Sequence, residues 1–146
     1  MDIPRMLAHL KKTAAGLGLP FGDRPNTYNS RRAQELGKWA EVEGRGDQFH
    51  QAAFAAYFAE GRNIAQFDVL ADIAAAAGLP EQEATRIIES GSFRAAVDAD
   101  WQRSGQLGIQ VVPTFHVDGR RMEGAKSYEA LREFVTAPKT ESRRIF

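Results

Sequence analysis

Apolar residues recur three and four positions apart over most of this chain, which is the spacing of a helix that buries one face. The first such segment places Leu7, Leu10, Ala14 and Leu17 on one face and stops at Gly18. Glycine and proline residues interrupt the pattern in the same way further along and mark predicted helix ends. Six helices are predicted before residue 108, at about residues 4–17, 29–42, 47–61, 70–77, 80–88 and 92–107.

The residues at the predicted helix ends suit those positions. Gly78 follows the fourth helix, where a left-handed residue is preferred. Pro80 suits the first turn of the fifth helix because its missing amide hydrogen would be unpaired there. Asn26 or Asn29 can accept hydrogen bonds from the free amides that open the second helix, and Ser92 can cap the sixth.

After Gly108 the pattern changes to β-branched and aromatic residues over 111–117. Asp118-Gly119 is a strong signal for a two-residue hairpin turn, and residues 120–123 provide the returning strand. Ser127 can cap a last helix, and residues 137–146 are predicted to be a flexible tail. The sequence therefore predicts a mainly α chain that closes with a β-hairpin and a helix.

Five aromatic residues lie at helical spacing in the second and third predicted helices. Aromatic residues in this arrangement usually belong to the core rather than to a cofactor site. We therefore predict that they are core residues: Trp39, Phe49, Phe54, Tyr57 and Phe58.

The charge balance excludes several classes of partner. Nineteen basic residues match nineteen acidic ones, so no net field would attract nucleic acid or anionic lipid. No stretch approaches the roughly 20 apolar residues of a membrane span, and the N-terminus lacks a basic-then-apolar signal. We therefore expect a protein that binds neither nucleic acid nor membranes and is located in the cytoplasm.

The chain contains no cysteine. This excludes disulfides, thiolate zinc sites and cysteine nucleophiles within the chain. His9 and His50 form no recognisable metal spacing, and His116 has no nucleophile or carboxylate partner identifiable from the sequence. We therefore predict no catalytic residue, no metal site and no cofactor.

The order of elements from Gly108 onward resembles the C-terminal half of a thioredoxin fold, with Val112-Pro113-Thr114 leading into the hairpin. More closely, the chain resembles the DsbA-like family. Its best match there is the FrnE-type branch, which is related to 2-hydroxychromene-2-carboxylate isomerases and kappa-class glutathione transferases. The resemblance is carried by residues 28–33, 56–80 and 108–131.

The resemblance implies a partial thioredoxin fold that retains its helical insertion. Residues 1–107 would form the helical insertion region, and residues 108–136 the closing hairpin and helix. Family members begin with a strand, a Cys-x-x-Cys turn at a helix start, and a second strand. This sequence is expected to lack that half, as a natural partial paralogue, through a misassigned gene start, or as a deliberate fragment.

The resemblance also implies a ligand-binding segment at Val112, Pro113 and Thr114. In the family the matching proline follows a cis peptide bond, and the backbone of Val112 would present an amide and a carbonyl to an extended peptide or a glutathione-like ligand. The alternative is that Pro113 merely starts an edge strand. Asn29 and Ser30 would lie near the active-site edge and hold substrate, or Asn29 would cap a helix.

Two functional interpretations compete. In the first, the chain is a thiol-disulfide oxidoreductase-like protein without its own redox cysteines and is inactive alone. In the second, it is a non-catalytic binding or homo-oligomeric assembly module, because an exposed strand invites pairing with another chain and predicts a homodimer. A third interpretation, from the other relatives, is a cysteine-independent isomerase or glutathione-binding protein.

Overall fold

The computed structural model describes residues 3–23 and 25–137. Helical elements precede a single hairpin, and a helix follows it. The elements are α1 (Ile3–Gly16), α2 (Arg31–Val42), α3 (Gly46–Phe54), a π-helical turn (Ala55–Ala59), α4 (Phe67–Ala76), α5 (Glu81–Ser90), α6 (Arg94–Gln106), β1 (Thr114–Val117), β2 (Arg120–Glu123) and α7 (Tyr128–Thr136). The predicted fold class, mainly α with a C-terminal hairpin and helix, is confirmed.

The chain divides into two compact units, residues 1–99 and residues 100–146. The division falls within α6. The domain ranges 1–107 and 108–136 stay predictions, and the predicted tail lies outside the described residues except for Ala137. No helix in the described part of the chain is long and apolar enough to cross a membrane.

Helices α2 to α5 form the core of the first unit. Leu36 and Ala40 on α2 and Leu70 and Ala74 on α4 are completely buried. Their i, i+4 spacing puts each pair on one helix face, and the alanines allow the helix backbones to approach closely. The cluster contains Ala33, Leu36, Trp39, Ala40, Phe49, Ala56, Ile64, Val69, Leu70, Ile73, Ala74, Ala77, Leu79, Ala84 and Ile88.

The aromatic core prediction is correct for Trp39 and Phe49 but wrong for Phe54 and Phe58. Phe54 is 61% exposed and Phe58 is 37% exposed. Phe54 ends α3 and lies five residues after the buried Phe49, which places it about 140° away around the helix. Phe58 lies within the π-helical turn, whose wider winding changes the direction of its side chain. Tyr57 is partly buried against the core.

The helix ends agree with the sequence at Gly78 and differ at Pro80 and Ser92. Gly78 has a φ of 78°, and the Leu79 amide donates to the Ala74 carbonyl, which completes a Schellman motif. Pro80 is the N-cap of α5, with an extended ψ of 124°, rather than a first-turn residue. The sixth helix begins at Arg94, because residues 91–93 form a turn after α5, so Ser92 is not its N-cap.

In the second unit, β1 and β2 pair antiparallel, with Phe115 opposite Met122. The predicted two-residue turn is present at Asp118 and Gly119, whose φ values of 49° and 76° are both positive, as in a type I′ turn. The hydroxyl of Ser127 accepts a hydrogen bond from the Ala130 amide at 3.2 Å, so the predicted cap of the last helix is confirmed.

Arg120 connects the hairpin to α7. Its guanidinium carbon lies 5.2 Å from the ring centre of Phe134, and its terminal nitrogen donates to the Ala137 carbonyl at 3.0 Å. These contacts fix α7 against the face of the hairpin that carries Arg120 and its partner Val117. In this two-stranded sheet, β1 pairs with β2 along one edge only, so β2 does not cover the other edge of β1.

Candidate functional site

The segment before β1 is exposed. The Val112–Pro113 peptide bond is cis, which is the isomer that the resemblance implies. Val112 is 89% exposed, and Pro113 is also exposed. Thr114 is half-buried, and its hydroxyl donates to the Val111 carbonyl at 2.6 Å. This bond uses the Thr114 side chain locally, so the segment presents mainly its backbone and the Val112 side chain.

The hairpin register determines which backbone groups of β1 point away from β2. The Gly124 amide donates to the Pro113 carbonyl at 2.8 Å. Hydrogen-bonded and non-bonded pairs alternate along an antiparallel ladder, so Phe115 and Val117 also bond to β2. Thr114 and His116 therefore direct their amides and carbonyls to the outer side.

Val112 lies just before this row of unpaired groups, in the bend formed by residues 111–113. Within residues 3–23 and 25–137, no hydrogen bond involves its amide or carbonyl. We call the backbone groups of Val112, Thr114 and His116 the free edge. Alternate residues of an extended chain recur about every 6.6–6.8 Å, which is the repeat of an added strand. The free edge can therefore accept an extended chain by backbone hydrogen bonds.

Asn29 and Ser30 are engaged at the start of α2. The side-chain oxygen of Asn29 accepts from the Arg31 amide at 2.8 Å, and the Ser30 hydroxyl accepts from the Gln34 side chain at 2.9 Å. The N-cap position of α2 is Ser30, whose side chain makes no capping bond. Asn29 precedes it and satisfies the first free amide of the helix through an Asx-turn, which agrees with the prediction that Asn29 accepts from a helix-start amide. A ligand-holding role for both residues stays a prediction.

Asn29 and Ser30 also line different cavities of the first unit. Ser30 lines an aromatic cleft of about 370 Å³ with Tyr28, Tyr57 and Phe58. The rings of Tyr28 and Tyr57 meet edge to face at 6.4 Å. Asn29 instead lines a cavity of about 350 Å³ that three arginine side chains also line. The structure does not bring the two residues into one site.

Sequence reasoning missed the arginine cavity, hereafter the arginine pocket. The available signal was the pair Arg31 and Arg32 in the first turn of α2, where basic side chains oppose the helix dipole. The third arginine, Arg94, is 63 residues from Arg31, and its proximity depends on the packing of the unit. Across residues 3–23 and 25–137, no group of three or more His, Asp or Glu side chains could hold a metal ion.

The helical unit, the hairpin and the last helix follow one another in the order that the resemblance implies. The chain matches the family model of the DSBA-like thioredoxin domain over residues 2–136. It therefore belongs to the DsbA-like thioredoxin domain family, as the resemblance implies.

A solved structure supports this assignment. The chain is similar to the crystal structure of a probable DsbA oxidoreductase from Streptomyces coelicolor, with a TM-score of 0.84 and 25% sequence identity. The match covers 93% of this chain and 61% of that protein, so the chain spans about three fifths of its length. A comparison with curated proteins found no match.

Proposed function

We propose that this chain is a DsbA-family oxidoreductase-like protein that binds an extended peptide or a glutathione-like ligand and does not itself exchange disulfides. The observation that carries the proposal is the absence of cysteine from a chain of this family. Thiol-disulfide exchange requires a thiolate to attack a disulfide sulfur, and no residue of this chain supplies one. Binding is the part of the family's activity that the chain can perform alone.

The free edge supports the binding proposal. The backbone groups of Thr114 and His116 point away from β2, and Val112, the third member of the free edge, is almost fully exposed. Strand addition uses such groups for affinity and the alternating side chains of the ligand for specificity. We also assign the chain to the FrnE-type branch, on the residues of segments 28–33 and 108–131.

A backbone variant tests the role of the free edge. His116→Pro removes one outward amide without breaking the ladder to β2, and proline is tolerated at edge positions. His116→Ala is the matched control because it removes the imidazole and keeps the amide. We expect the proline variant to weaken binding of an extended peptide about fivefold, because a lost hydrogen bond costs about 1 kcal/mol. The alanine variant should bind as the unaltered chain does.

Amide chemical shifts provide a second measurement. Titration with glutathione or an extended peptide should shift the amides of Val112, Thr114 and His116 more than those of Phe115 and Val117, which bond to β2. Equal shifts along β1, or no shifts, would contradict ligand binding at the free edge. An insulin-reduction assay is expected to show no turnover above background, and measurable turnover would contradict the non-redox part of the proposal.

The same edge favours a second candidate function, homodimer assembly. The edge of β1 in one copy can pair with that of another, since an uncovered strand edge is a template for pairing. Light scattering at micromolar concentration should then show a dimer that His116→Pro converts to a monomer. A stable monomer with a cooperative melt would eliminate this candidate and leave the ligand-binding proposal intact.

A further inference from the structure

The arginine pocket lies in the first unit, at the start of α2. Its volume of about 350 Å³ falls within the usual range of small-molecule sites. Its polar lining consists of Arg31, Arg32, Arg94, Asn29 and one carboxylate, that of Glu35. Three cationic side chains around one cavity raise the question of which negative charges balance them.

Arg31 is balanced within the protein. Its Nε donates to Glu35 at 3.2 Å, and a terminal nitrogen donates to Asp98 at 2.6 Å and to the Arg94 carbonyl at 3.1 Å. The hydrogen bond to Asp98 is the largest cause that raises the pKa of Arg31 above its ordinary value, and the bond to Glu35 adds to it while desolvation opposes both. Glu35 is 3% exposed, so this arginine serves to pair a buried carboxylate.

The side chains of Arg32 and Arg94 are held by contacts with an aromatic ring and with backbone atoms rather than by carboxylates. The guanidinium of Arg32 lies 4.5 Å from the ring centre of Phe67, and its terminal nitrogen approaches the Ala65 carbonyl at 3.4 Å. Arg94 lies flat against Gly91, where an added Cβ would be 2.4 Å from its Nε. In the described part of the chain, neither arginine has an acidic partner within 4.0 Å.

The charges of the pocket and its immediate partners leave one positive charge in excess. The three guanidinium groups carry three positive charges, and the carboxylates of Glu35 and Asp98, both paired with Arg31, carry two negative charges. A single carboxylate would neutralise the excess, whereas a phosphate dianion would reverse it. The planar fork of a guanidinium matches both a carboxylate and a phosphate, so it is the charge balance that favours the carboxylate.

The remaining wall of the pocket is apolar. Ala65 and Ile88 line it, and Ile88 belongs to the buried core. Ala65 is half-buried and Ile88 is 3% exposed, so this wall can contact a short aliphatic group, which an inorganic ion lacks. We infer that the arginine pocket binds a small aliphatic monocarboxylate, with its carboxylate on Arg32 and Arg94 and its alkyl group against Ala65 and Ile88.

Three probes test the chemistry of the ligand on the full chain. Isovalerate is expected to bind saturably and to shift the amides of Asn29 and Arg32, as followed by nuclear magnetic resonance. Isovaleramide has the same shape without the charge and should bind at least about tenfold more weakly, since an ionic hydrogen bond contributes about 1.5–3 kcal/mol. Inorganic phosphate should also bind more weakly than isovalerate.

Substitutions test the residues. Arg94→Gln should weaken isovalerate binding about tenfold, and Arg32→Gln should do the same through an independent position. The matched control is Arg86→Gln on α5, an exposed arginine that pairs with Glu83 and is not among the residues lining the pocket. It should leave the affinity unchanged.

Clear outcomes would overturn the inference. These are the absence of saturable isovalerate binding, equal binding of isovaleramide, and tighter binding of phosphate. Unchanged affinity in both Arg94→Gln and Arg32→Gln would also overturn it. The test is separable from that of the free edge, because the probes, the variants and the reporting amides all differ.

Discussion

A glycine inside α2 allows a sharp test of how the core of the first unit is packed. Gly37 is buried in the middle of the helix, where glycine is about 1 kcal/mol less favourable than alanine. An alanine Cβ at this position would lie 3.2 Å from Cε1 of His50 and 3.9 Å from Cδ1 of Phe49. The first distance is a few tenths of an ångström too short, and the second is an ordinary contact.

The mobility of His50 decides the sign of the change. Its side chain is 48% exposed, and its only described ionic contact is with Glu41 at 3.6 Å. Surface pairs of this kind contribute about 0–1 kcal/mol, and a modest departure from a preferred rotamer costs about 0.5 kcal/mol or slightly more. We therefore expect Gly37→Ala to raise the free energy of unfolding by about 0.5 kcal/mol.

A double-mutant cycle separates the two contributions. In a His50→Ala background the close contact is gone, so Gly37→Ala should stabilise by about 1 kcal/mol. Equilibrium urea denaturation followed by circular dichroism measures both values. Destabilisation by Gly37→Ala in both backgrounds would refute the reasoning, because it would show that a contact other than His50 excludes the methyl group.

Two further pairs of substitutions test the core and the start of α2. Leu70→Ala should lower the free energy of unfolding by about 2–5 kcal/mol because Leu70 is fully buried, whereas Val42→Ala, at a residue 73% exposed, should change it by less than about 0.5 kcal/mol; urea denaturation compares them. Asn29→Ala should cost about 0.5–2 kcal/mol by removing the acceptor of the Arg31 amide, and Asn29→Asp should keep it; equal melting temperatures for these two Asn29 variants would contradict this role of the Asn29 side chain.

The elements that were predictable from sequence depend on local signals. Gly78 adopts the left-handed conformation expected after a helix, and Asp118-Gly119 forms the expected turn. Ser127 caps α7 as predicted. In each case the residue type and its immediate neighbours determine the backbone conformation, so distant packing did not need to be known.

The features that sequence reasoning missed depend on longer-range geometry. The π-helical turn at Ala55–Ala59 has no sequence signature that distinguishes it from an α-helix, and it contains Phe58, whose exposure was not predicted. The arginine pocket joins residues of α2 with Arg94 of α6. Similarly, Asn29 and Ser30 are adjacent in sequence but line separate cavities.

The type I′ turn has a consequence for recognition at the other end of its strand. A two-residue turn makes Val117 and Arg120, the pair that flanks it, a hydrogen-bonded pair. Every second residue of β1, counted back from Val117, then directs its backbone amide and carbonyl toward β2. The turn at Asp118-Gly119 therefore determines which backbone donors and acceptors of β1 are available to an added strand, namely those of Thr114 and His116. Substitutions within β1 by residues other than proline would change the side chains offered to a ligand and keep this order of backbone donors and acceptors.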